Sequence, residues 1–401
     1  MHDIDDYREI IGDKVFSDLF KKARKITTKS ILNINSTAQG GGVAEILESL
    51  VILMNELGIY AGWRILHGNP DFFAITKKFH NAIQGSSIHL SEIKKKLYLK
   101  ANLDFSVFTH IDHDAVVIHD PQPLPLIRYY HKRQPWIWRC HIDLSNPNEQ
   151  LWYYLKKYIL RYDRVIISSE NYRLEKLPVP QKVIAPAIDP KSIKNIDLPP
   201  REIARQCKKY NIPGDKPIIT QVSRFDRAKD PAGVIKIFKK VKSKIDCRLI
   251  LCGSMAVDDP EGIKIYEQIL NRAQKMIDNK DIIIFNIESD ILVNVLQRIS
   301  SVIIQKSIKE GFGLTVSEAL WKETPVVASN VGGIPLQITD GENGFLVKPL
   351  DYNGFADRII YLLENPSKAE QIGKKGKERV REKFLITRLL ADYIDLFNEL
   401  I

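Results

Sequence analysis

Two glutamates, Glu310 and Glu318, stand eight positions apart around a short turn framed by glycines. Gly311 and Gly313 allow the backbone to approach a ligand closely and to take up positive φ angles. A helix is predicted to begin near Leu314, and the exposed N–H groups at its start suit the oxygens of a diphosphate. The pattern therefore predicts a site for a diphosphate-bearing ligand. The residues expected to line this site are Gly311, Phe312, Gly313, Leu314 and Thr315.

The two carboxylates are expected to contact different parts of such a ligand. Glu310, before the turn, would face a sugar. Glu318, on the helix, would accept hydrogen bonds from a ribose diol, as a carboxylate does in dinucleotide folds. The alternative is that Glu318 only caps a helix, because acidic residues favour the first helical turn.

A second group of polar residues follows a predicted strand further back in the chain. Arg224 and Lys229 would place two cations beside a pyrophosphate, where they would stabilise a leaving group as its negative charge develops. Solvated surface charge explains the same residues equally well. Gly253, after the next strand, would allow another close backbone approach to the ligand, or is an ordinary glycine between a strand and a loop.

Glycines also precede a helix in the first half of the chain. Gly40, Gly41 and Gly42 follow the first predicted strand and lead into a helix near Val43. The N–H groups of this turn would wrap a phosphate or an acceptor sugar, and Gly41 and Gly42 are assigned to the donor. The spacing is not that of a dinucleotide-binding fingerprint, and a tight turn is the alternative.

Three polar residues follow strands in the first half. His141 ends a predicted strand at 136–142, so its imidazole would donate a hydrogen bond to a sugar hydroxyl. Asp120 and Asp143 also follow strands and would hold hydroxyl groups of an acceptor sugar. The alternative for His141 is a histidine whose hydrogen bonds are satisfied by the backbone of a core loop.

A mixed aromatic and polar segment supplies further candidates. Lys77, His80 and Asn81 are predicted to bind the acceptor, because such mixtures are typical of carbohydrate sites. An amphipathic helix that buries Phe72 and Phe79 explains the spacing as well.

Composition excludes several other classes of protein. The chain has 401 residues with 44% hydrophobic content and four cysteines, enough for two or three domains on a scale of roughly 150 residues each. No Cys-x-x-Cys pair occurs, so a disulfide framework or structural zinc is not expected. Asp112-His113-Asp114 precedes a strand and lacks neighbouring ligands, so no metal site is predicted there. The acidic N-terminus is unlike a signal peptide, and we expect a cytoplasmic protein without a membrane span.

Short apolar runs alternate with amphipathic segments, and this pattern occurs twice. It predicts an α/β protein with two facing, doubly wound Rossmann-like domains that bind ligands in the cleft between them. Prolines between residues 185 and 200 break regular structure and mark the hinge. The predicted domains are residues 1–195, which bind the acceptor, and 196–375, which bind the donor, with a helix at 376–401 that packs back on the first.

The residues singled out above carry a family resemblance. Glu310 to Glu318 resembles the Glu-x7-Glu motif of retaining glycosyltransferase family 4, and Arg224 with Lys229 resembles its phosphate-binding pair. Within that family the chain is similar to the trehalose-synthesising group over roughly residues 31–384. The segments that resemble this group are 40–45, 78–85, 119–123, 138–143, 258–262 and 305–313. Asp230 stands where many members carry glycine.

The resemblance implies a GT-B fold and a retaining transfer of glucose. The implied donor is a nucleoside diphosphate glucose, the acceptor is free glucose and the product, formed reversibly, is trehalose. Glu310, Arg224, Lys229 and His141 would be the catalytic residues, and no metal or other cofactor is expected. The expected partners are small molecules, without nucleic acid or membrane, and the resemblance is compatible with a homodimer.

Three other functions remain open from the sequence. A trehalose phosphorylase has the same implied fold but uses inorganic phosphate. A lipid-directed mannosyltransferase needs a membrane-docking face, for which 93–103 is the candidate segment. The net charge of +10 permits a nucleic-acid-binding protein, which would bind oligonucleotides in a salt-dependent manner.

We expect Arg224→Ala and Lys229→Ala each to slow glucosyl transfer by about a hundredfold or more. Each removes a charge directed at the leaving diphosphate, an effect worth about 3 kcal/mol in comparable sites. Steady-state kinetics with nucleoside diphosphate glucose measures it. Near-normal turnover in both variants would contradict the assignment of the pair.

Overall fold

The computed structural model describes residues 3–39, 41–253 and 260–401, except for the side chains of Pro260 and Glu261. The chain divides into two compact units, Met1–Ala187 with Leu385–Ile401, and Ile188–Phe384. Each unit contains a six-stranded sheet in which every pair of neighbouring strands is parallel. The α/β class with two doubly wound sheets is therefore confirmed.

The first unit has its strands in the order β2-β1-β3-β4-β5-β6. The strands are β1 (Ser30–Asn35), β2 (Tyr60–Ile65), β3 (Ala115–His119), β4 (Trp136–Arg139), β5 (Arg164–Ile167) and β6 (Gln181–Val183). The helices before residue 188 are α1 (Arg8–Ile11), α2 (Asp13–Ala23), α3 (Gly42–Glu56), α4 (Pro70–Ile83), α5 (Glu92–Phe108) and α6 (Glu149–Ile159). The direction of winding reverses between β1 and β3, so ligands are expected at the carboxyl ends of these strands.

Buried apolar side chains explain why these segments form a parallel sheet. Residues of β1, β3 and β4 are almost entirely buried, as expected for strands covered by helices on both faces. In β1 the apolar run is interrupted by the buried polar residues Asn33 and Asn35. Asn69 caps α4 by accepting a hydrogen bond from the Phe72 N–H, and Pro70 occupies the first helical position.

The second unit has the strand order β12-β11-β10-β7-β8-β9. Its strands are β7 (Ile218–Val222), β8 (Arg248–Gly253), β9 (Ile282–Asn286), β10 (Val302–Gln305), β11 (Val326–Ser329) and β12 (Phe345–Val347). Its helices are α7 (Pro200–Lys209), α8 (Pro231–Lys242), α9 (Pro260–Asp278), α10 (Asp290–Ile299), α11 (Leu314–Trp321), α12 (Ile334–Gln337), α13 (Tyr352–Glu364) and α14 (Pro366–Lys383). Here the winding reverses between β7 and β10, which marks the expected ligand site of this unit.

The C-terminal region differs in detail from the prediction. The helical segment after residue 366 consists of two helices, α14 and a final helix α15 (Ile386–Leu400). Helix α14 packs on α11 and α13 within the second unit, whereas α15 packs on α2 and α3 within the first. The unit boundaries accordingly lie after residues 187 and 384, where the sequence suggested 195 and 375.

Two short edge strands, β6 and β12, were not predicted, because each has only three residues. The strand predicted at 136–142 ends at Arg139, so His141 lies in the loop beyond β4. Among the described residues, no helix combines the length and the hydrophobicity that a membrane crossing requires.

Candidate active site

Lys229 and Glu310 form an ion pair at the switch point of the second sheet. Lys229 ends a short 3₁₀ turn after β7, and Glu310 follows β10. The Lys229 ammonium contacts Oε2 of Glu310, and the two side chains are only 15% and 9% exposed. The ion pair therefore joins the loops that follow the two central strands.

Two neighbouring side chains also hold the Glu310 carboxylate. Gln305 Nε2 and Ser307 Oγ donate to the same oxygen, at 3.3 and 3.2 Å. Burial alone would raise the pKa of Glu310, but the Lys229 ammonium and these hydrogen bonds outweigh burial and lower the pKa. Glu310 is thus kept as an ionised carboxylate.

Arg224 stands outside this buried pair. Its side chain is 58% exposed, and its guanidinium forms an ion pair with Asp226, Nη2 to Oδ2 at 3.1 Å. The structure therefore brings Lys229 together with Glu310, whereas the sequence paired Lys229 with Arg224. An exposed guanidinium remains able to reach a bound anion.

Asp230 explains how the chain turns from Lys229 into α8. Its backbone has a left-handed conformation, φ 37°, which glycine adopts with less strain. Its side chain accepts a hydrogen bond from the Gly233 N–H at 3.0 Å, which caps α8. Its other oxygen forms an ion pair with the fully buried Lys306 ammonium, which also lies 5.1 Å from the Tyr352 ring centroid. The carboxylate thus has contacts that a glycine would lack.

Gln221 links the two ion pairs through the backbone. Its side chain accepts from the Lys306 N–H at 3.0 Å and donates to the Lys229 carbonyl at 3.0 Å. Lys306 was not identified from the sequence, although a lysine at the end of the apolar run from Val302 was a usable signal. A buried ammonium requires a counter-charge.

The turn before α11 fits the prediction in part. Gly313 has φ 82° and occupies the N-cap, where no side chain caps the helix. Gly311 is not among the glycines with positive φ, so that part of the prediction was wrong. Thr315 Oγ1 donates to Gln305 Oε1 at 3.1 Å. The Phe312 ring is buried against Phe384, so its side chain belongs to the core. Leu314 begins the helix.

Glu318 is the fifth residue of α11, beyond the first turn, so the helix-cap alternative does not hold. The residue is 2% exposed and accepts a hydrogen bond from Gln297 Nε2 at 3.1 Å. The Lys194 ammonium lies 4.0 Å from its other oxygen. Lys322 donates to the Glu318 carbonyl, and burial lowers the pKa of Lys322 to about 7.

The glycine predictions have different outcomes. A Cβ on Gly253 would lie 1.8 Å from the Ser223 carbonyl oxygen, so the neighbouring backbone itself requires glycine there. Gly41 is the N-cap of α3 in an extended conformation, and Gly42 is the first helical residue. Gly40 and residues 254–259 lie outside the described chain, and with them the first two residues of the motif at 258–262. A donor contact at Gly41 and Gly42 stays a prediction.

In the first unit, Asp120 and His141 are joined directly. The Asp120 carboxylate accepts from the His141 N–H at 2.8 Å, and Asp120 itself has φ 63°. Trp138 Nε1 donates to the Asp120 carbonyl at 3.0 Å, and the Tyr98 hydroxyl donates to the Pro121 carbonyl. The loop after β3 is therefore held in one conformation by buried groups.

The remaining acceptor candidates lie on connected segments. Lys77, His80 and Asn81 lie on α4, the amphipathic helix that the alternative described, which buries Phe72 and Phe79. The loop that carries Asp143 is joined to the end of this helix by a hydrogen bond of 2.8 Å from the residue 148 N–H to the residue 82 carbonyl. The Asp143 side chain accepts from the N–H of residue 145 at 2.8 Å.

Three residues near His141 were not recognised as site residues from the sequence. Asn33 and His119 form a hydrogen-bonded row with His141, and Arg139 is buried beside them. Polar residues inside apolar strands, as in the run Ile31 to Asn35, were the available signal. Within the described ranges, no group of three or more His, Cys, Asp or Glu side chains could hold a metal ion.

Two parallel, doubly wound sheets of six strands, with ionic groups at the switch point of the second, define the GT-B class of glycosyltransferases. The solved Escherichia coli structure described as trehalose-6-phosphate bound with UDP-2-fluoro glucose supports this fold, with a TM-score of 0.75 and 16% identity over 93% of this chain and 100% of the other.

Family models match both halves of the chain. Residues 33–174 match the trehalose synthase N-terminal domain, and residues 202–379 match glycosyl transferases group 1. The trehalose synthase of Thermococcus litoralis is 48% identical over 98% of this chain and 96% of its own length. The trehalose phosphorylase of Pleurotus pulmonarius is 30% identical over 90% of this chain but only 56% of its own length. The chain belongs to the trehalose synthase family of glycosyltransferases.

The ion pair between Asp230 and Lys306 yields a stability prediction. We expect Lys306→Met to lower the free energy of unfolding by about 3–5 kcal/mol, because it leaves Asp230 without its counter-charge in a largely buried position. The double variant Asp230→Gly/Lys306→Met should recover most of this loss, since glycine accepts the left-handed backbone. Urea denaturation measures both.

An exposed ion pair provides the control. Lys374→Met removes the partner of Glu370 on α14, where both side chains are more than half exposed, and should leave the denaturation midpoint nearly unchanged. A double variant no more stable than Lys306→Met alone would contradict the role given to the pair.

Proposed function

We propose that this glycosyltransferase transfers glucose, with retention of configuration, from a nucleoside diphosphate glucose to the anomeric hydroxyl of free glucose. The product is trehalose, and the reaction is reversible. The observation that carries the proposal is the buried pair of Lys229 and Glu310 beside the uncapped start of α11, in a chain of the trehalose synthase family.

The diphosphate would bind at the start of α11. The partial positive charge of the helix N-terminus favours an anion there. Lys229 and the exposed Arg224 add two cations, and Thr315 and Gly313 border the same turn. As the glycosidic bond to the phosphate breaks, negative charge grows on the leaving oxygen, and these groups stabilise it more strongly than they stabilise the ground state.

Glu310 would orient the glucose ring of the donor. Its carboxylate is already bound by Lys229, Ser307 and Gln305, which makes it a poor nucleophile. A retaining glycosidase instead uses two carboxyl groups about 5 Å apart, one of which attacks the sugar. We therefore propose a reaction on one face of the sugar, in which the leaving phosphate oxygen takes the proton of the acceptor hydroxyl.

The first unit would bind the acceptor. Its candidate groups are those of the loops after β3 and β4 and of helix α4. They are His141, Asp120, Asp143, Lys77, His80 and Asn81. Hydroxyl groups of glucose both donate and accept hydrogen bonds, so carboxylates and amides at loop ends suit them.

One assay tests the proposed function. The protein is incubated with glucose and a panel of nucleoside diphosphate glucoses, and the disaccharide is identified by proton NMR. We expect trehalose with its α,α linkage, formed equally well with a metal chelator present, because the cations of the proposed site are side chains.

Other outcomes of this assay point elsewhere. Trehalose breakdown that requires inorganic phosphate and no nucleotide would identify a phosphorylase instead. Activity that chelation abolishes and magnesium or manganese restores would contradict the metal-free mechanism. A requirement for a lipid acceptor would overturn the assignment of glucose.

The two glutamates should separate kinetically. Glu318→Ala should raise the donor KM with less effect on kcat, because ribose contacts are made equally in the ground and transition states. Glu310→Ala should lower kcat, since the ring that Glu310 orients becomes oxocarbenium-like at the transition state, while free nucleoside diphosphate binds nearly as well. Steady-state kinetics and calorimetry with the diphosphate measure these effects.

Each glutamate variant has an outcome that contradicts its role. Loss of diphosphate binding in Glu310→Ala would show that Glu310 supports the nucleotide site. An unchanged donor KM in Glu318→Ala would show that Glu318 does not bind the ribose.

A further inference from the structure

A row of three polar side chains crosses the switch point of the first sheet. Asn33 lies two residues before the end of β1, His119 ends β3, and His141 lies two residues beyond β4. These three strands are neighbours in the sheet. Asn33 Oδ1 lies 3.1 Å from His119 Nε2, and His119 Nδ1 lies 3.0 Å from His141 Nε2. The imidazole planes are inclined by only 18°, with ring centroids 5.4 Å apart, as an in-plane N–H to N hydrogen bond requires.

The partners determine which nitrogen carries each proton. The Asn33 amide nitrogen faces the Gly62 carbonyl at 3.4 Å, so its oxygen faces His119. A carbonyl oxygen only accepts, and His119 Nε2 must therefore carry a proton. A neutral imidazole has one N–H, so His119 Nδ1 accepts, and His141 Nε2 must donate to it.

The surroundings keep both rings neutral. The guanidinium that faces them belongs to Arg139 of β4, which is buried and itself packs near Tyr393 and Arg388 of α15. Burial, together with Arg139, lowers the pKa of His119 to about 3. Burial and the same guanidinium lower the pKa of His141 well below its usual value.

A carboxylate, that of Asp120, is bonded to the backbone of His141. It accepts the His141 backbone N–H at 2.8 Å, and burial raises its pKa to about 6. Asp120 is therefore ionised in most molecules at neutral pH. Even with this carboxylate present, burial and Arg139 dominate, so the neutral state of both imidazoles is the stable one.

We infer that Asn33 and His119 are positioning residues that hold His141 as a neutral hydrogen-bond acceptor, with the lone pair of Nδ1 available to a sugar hydroxyl. In the described chain, the only hydrogen bond of the His141 ring is the one to His119. The polarity is opposite to the donor role that the sequence suggested for His141. The assignment of the sugar as ligand rests on the proposed function, whereas the assignment of the protons does not.

Nitrogen NMR of the full-length protein tests the proton positions without turnover. The histidines are labelled with ¹⁵N, and long-range ¹H–¹⁵N spectra distinguish protonated from bare ring nitrogens. His119→Gln and His141→Gln assign the two rings among the nine histidines. We expect both to be Nε2–H tautomers at neutral pH. An Nδ1–H tautomer or an imidazolium at His141 would overturn the inference, whatever the enzyme proves to transfer.

Asn33→Asp keeps the acceptor oxygen but adds a negative charge beside His119. An adjacent opposite charge raises a histidine pKa by about one to three units. The same ¹H–¹⁵N spectra, recorded against pH, should therefore show the pKa of His119 raised by about one to three units, with the same tautomers at neutral pH. Asn35→Asp is the matched control.

Asn35 lies two residues further along the same strand and bonds Trp63 and Thr37 instead of a histidine. Its aspartate variant should leave the pKa of His119 and the histidine tautomers unchanged. A His119 titration in Asn33→Asp that coincides with the one in Asn35→Asp would overturn the positioning role.

Removal of the His119 acceptor should allow His141 to adopt either neutral tautomer. We expect His119→Leu to lower kcat about tenfold, the scale of one lost hydrogen bond in a buried site, while His119→Asn retains an acceptor oxygen beside His141 and loses less. Thermal melts and calorimetric binding of a nucleoside diphosphate establish that both variants are folded. Equal kcat values in the two folded variants would contradict the inference.

Discussion

A buried charge must be paired, and two consecutive residues of the second unit, one a cation and the other an anion, each have a partner of opposite charge. Lys229 binds Glu310, and Asp230 binds Lys306, so the loop after β7 is joined twice to the chain that leaves β10. Gln221 ties the two pairs together through the backbone. Breaking either ion pair would leave an unpaired charge in a low-dielectric environment. The loop after β7 is therefore held firmly at the switch point between β7 and β10. Any ligand of this switch point meets the Lys229 ammonium in a position that the ion pair with Glu310 has already fixed.

At the switch point of the first unit, the buried polar side chains that bond one another are neutral. Its switch point carries two imidazoles, which a nearby carboxylate would ordinarily charge. Burial and, second to it, the guanidinium of Arg139 keep both imidazoles neutral, and Asn33 determines which nitrogen of His119 carries the proton. The two switch points therefore differ, since the second carries two buried ion pairs and the first carries a row of neutral, hydrogen-bonded side chains.

Sequence patterns predicted the fold well, because apolar runs and amphipathic segments depend on neighbours that are close in the chain. Strands β1 and β3 were predicted with the bounds that the structure has, whereas the three-residue strands β6 and β12 were missed for want of a periodic signal. The motif from Glu310 to Glu318 was recognisable, but its ion pair with Lys229 was not. That pair joins residues 81 positions apart, and only the order of strands in the sheet shows that they meet. Lys306 and Asn33 were missed for the same reason, since a polar residue in an apolar run has no visible partner in the sequence.

The second unit is inserted into the first, because the chain completes residues 188–384 before it returns to the first unit through α15. The Ile188 N–H and the Phe384 carbonyl, at the two ends of this insertion, are hydrogen-bonded at 2.8 Å. On a ribosome, which releases the chain from its N-terminus, the inserted unit is therefore complete before the unit that surrounds it. Tyr393 and Arg388, which lie near Arg139, follow the inserted unit in the chain and emerge after it. The Arg139 guanidinium beside the histidine pair thus acquires its full surroundings only after the inserted unit has been synthesised.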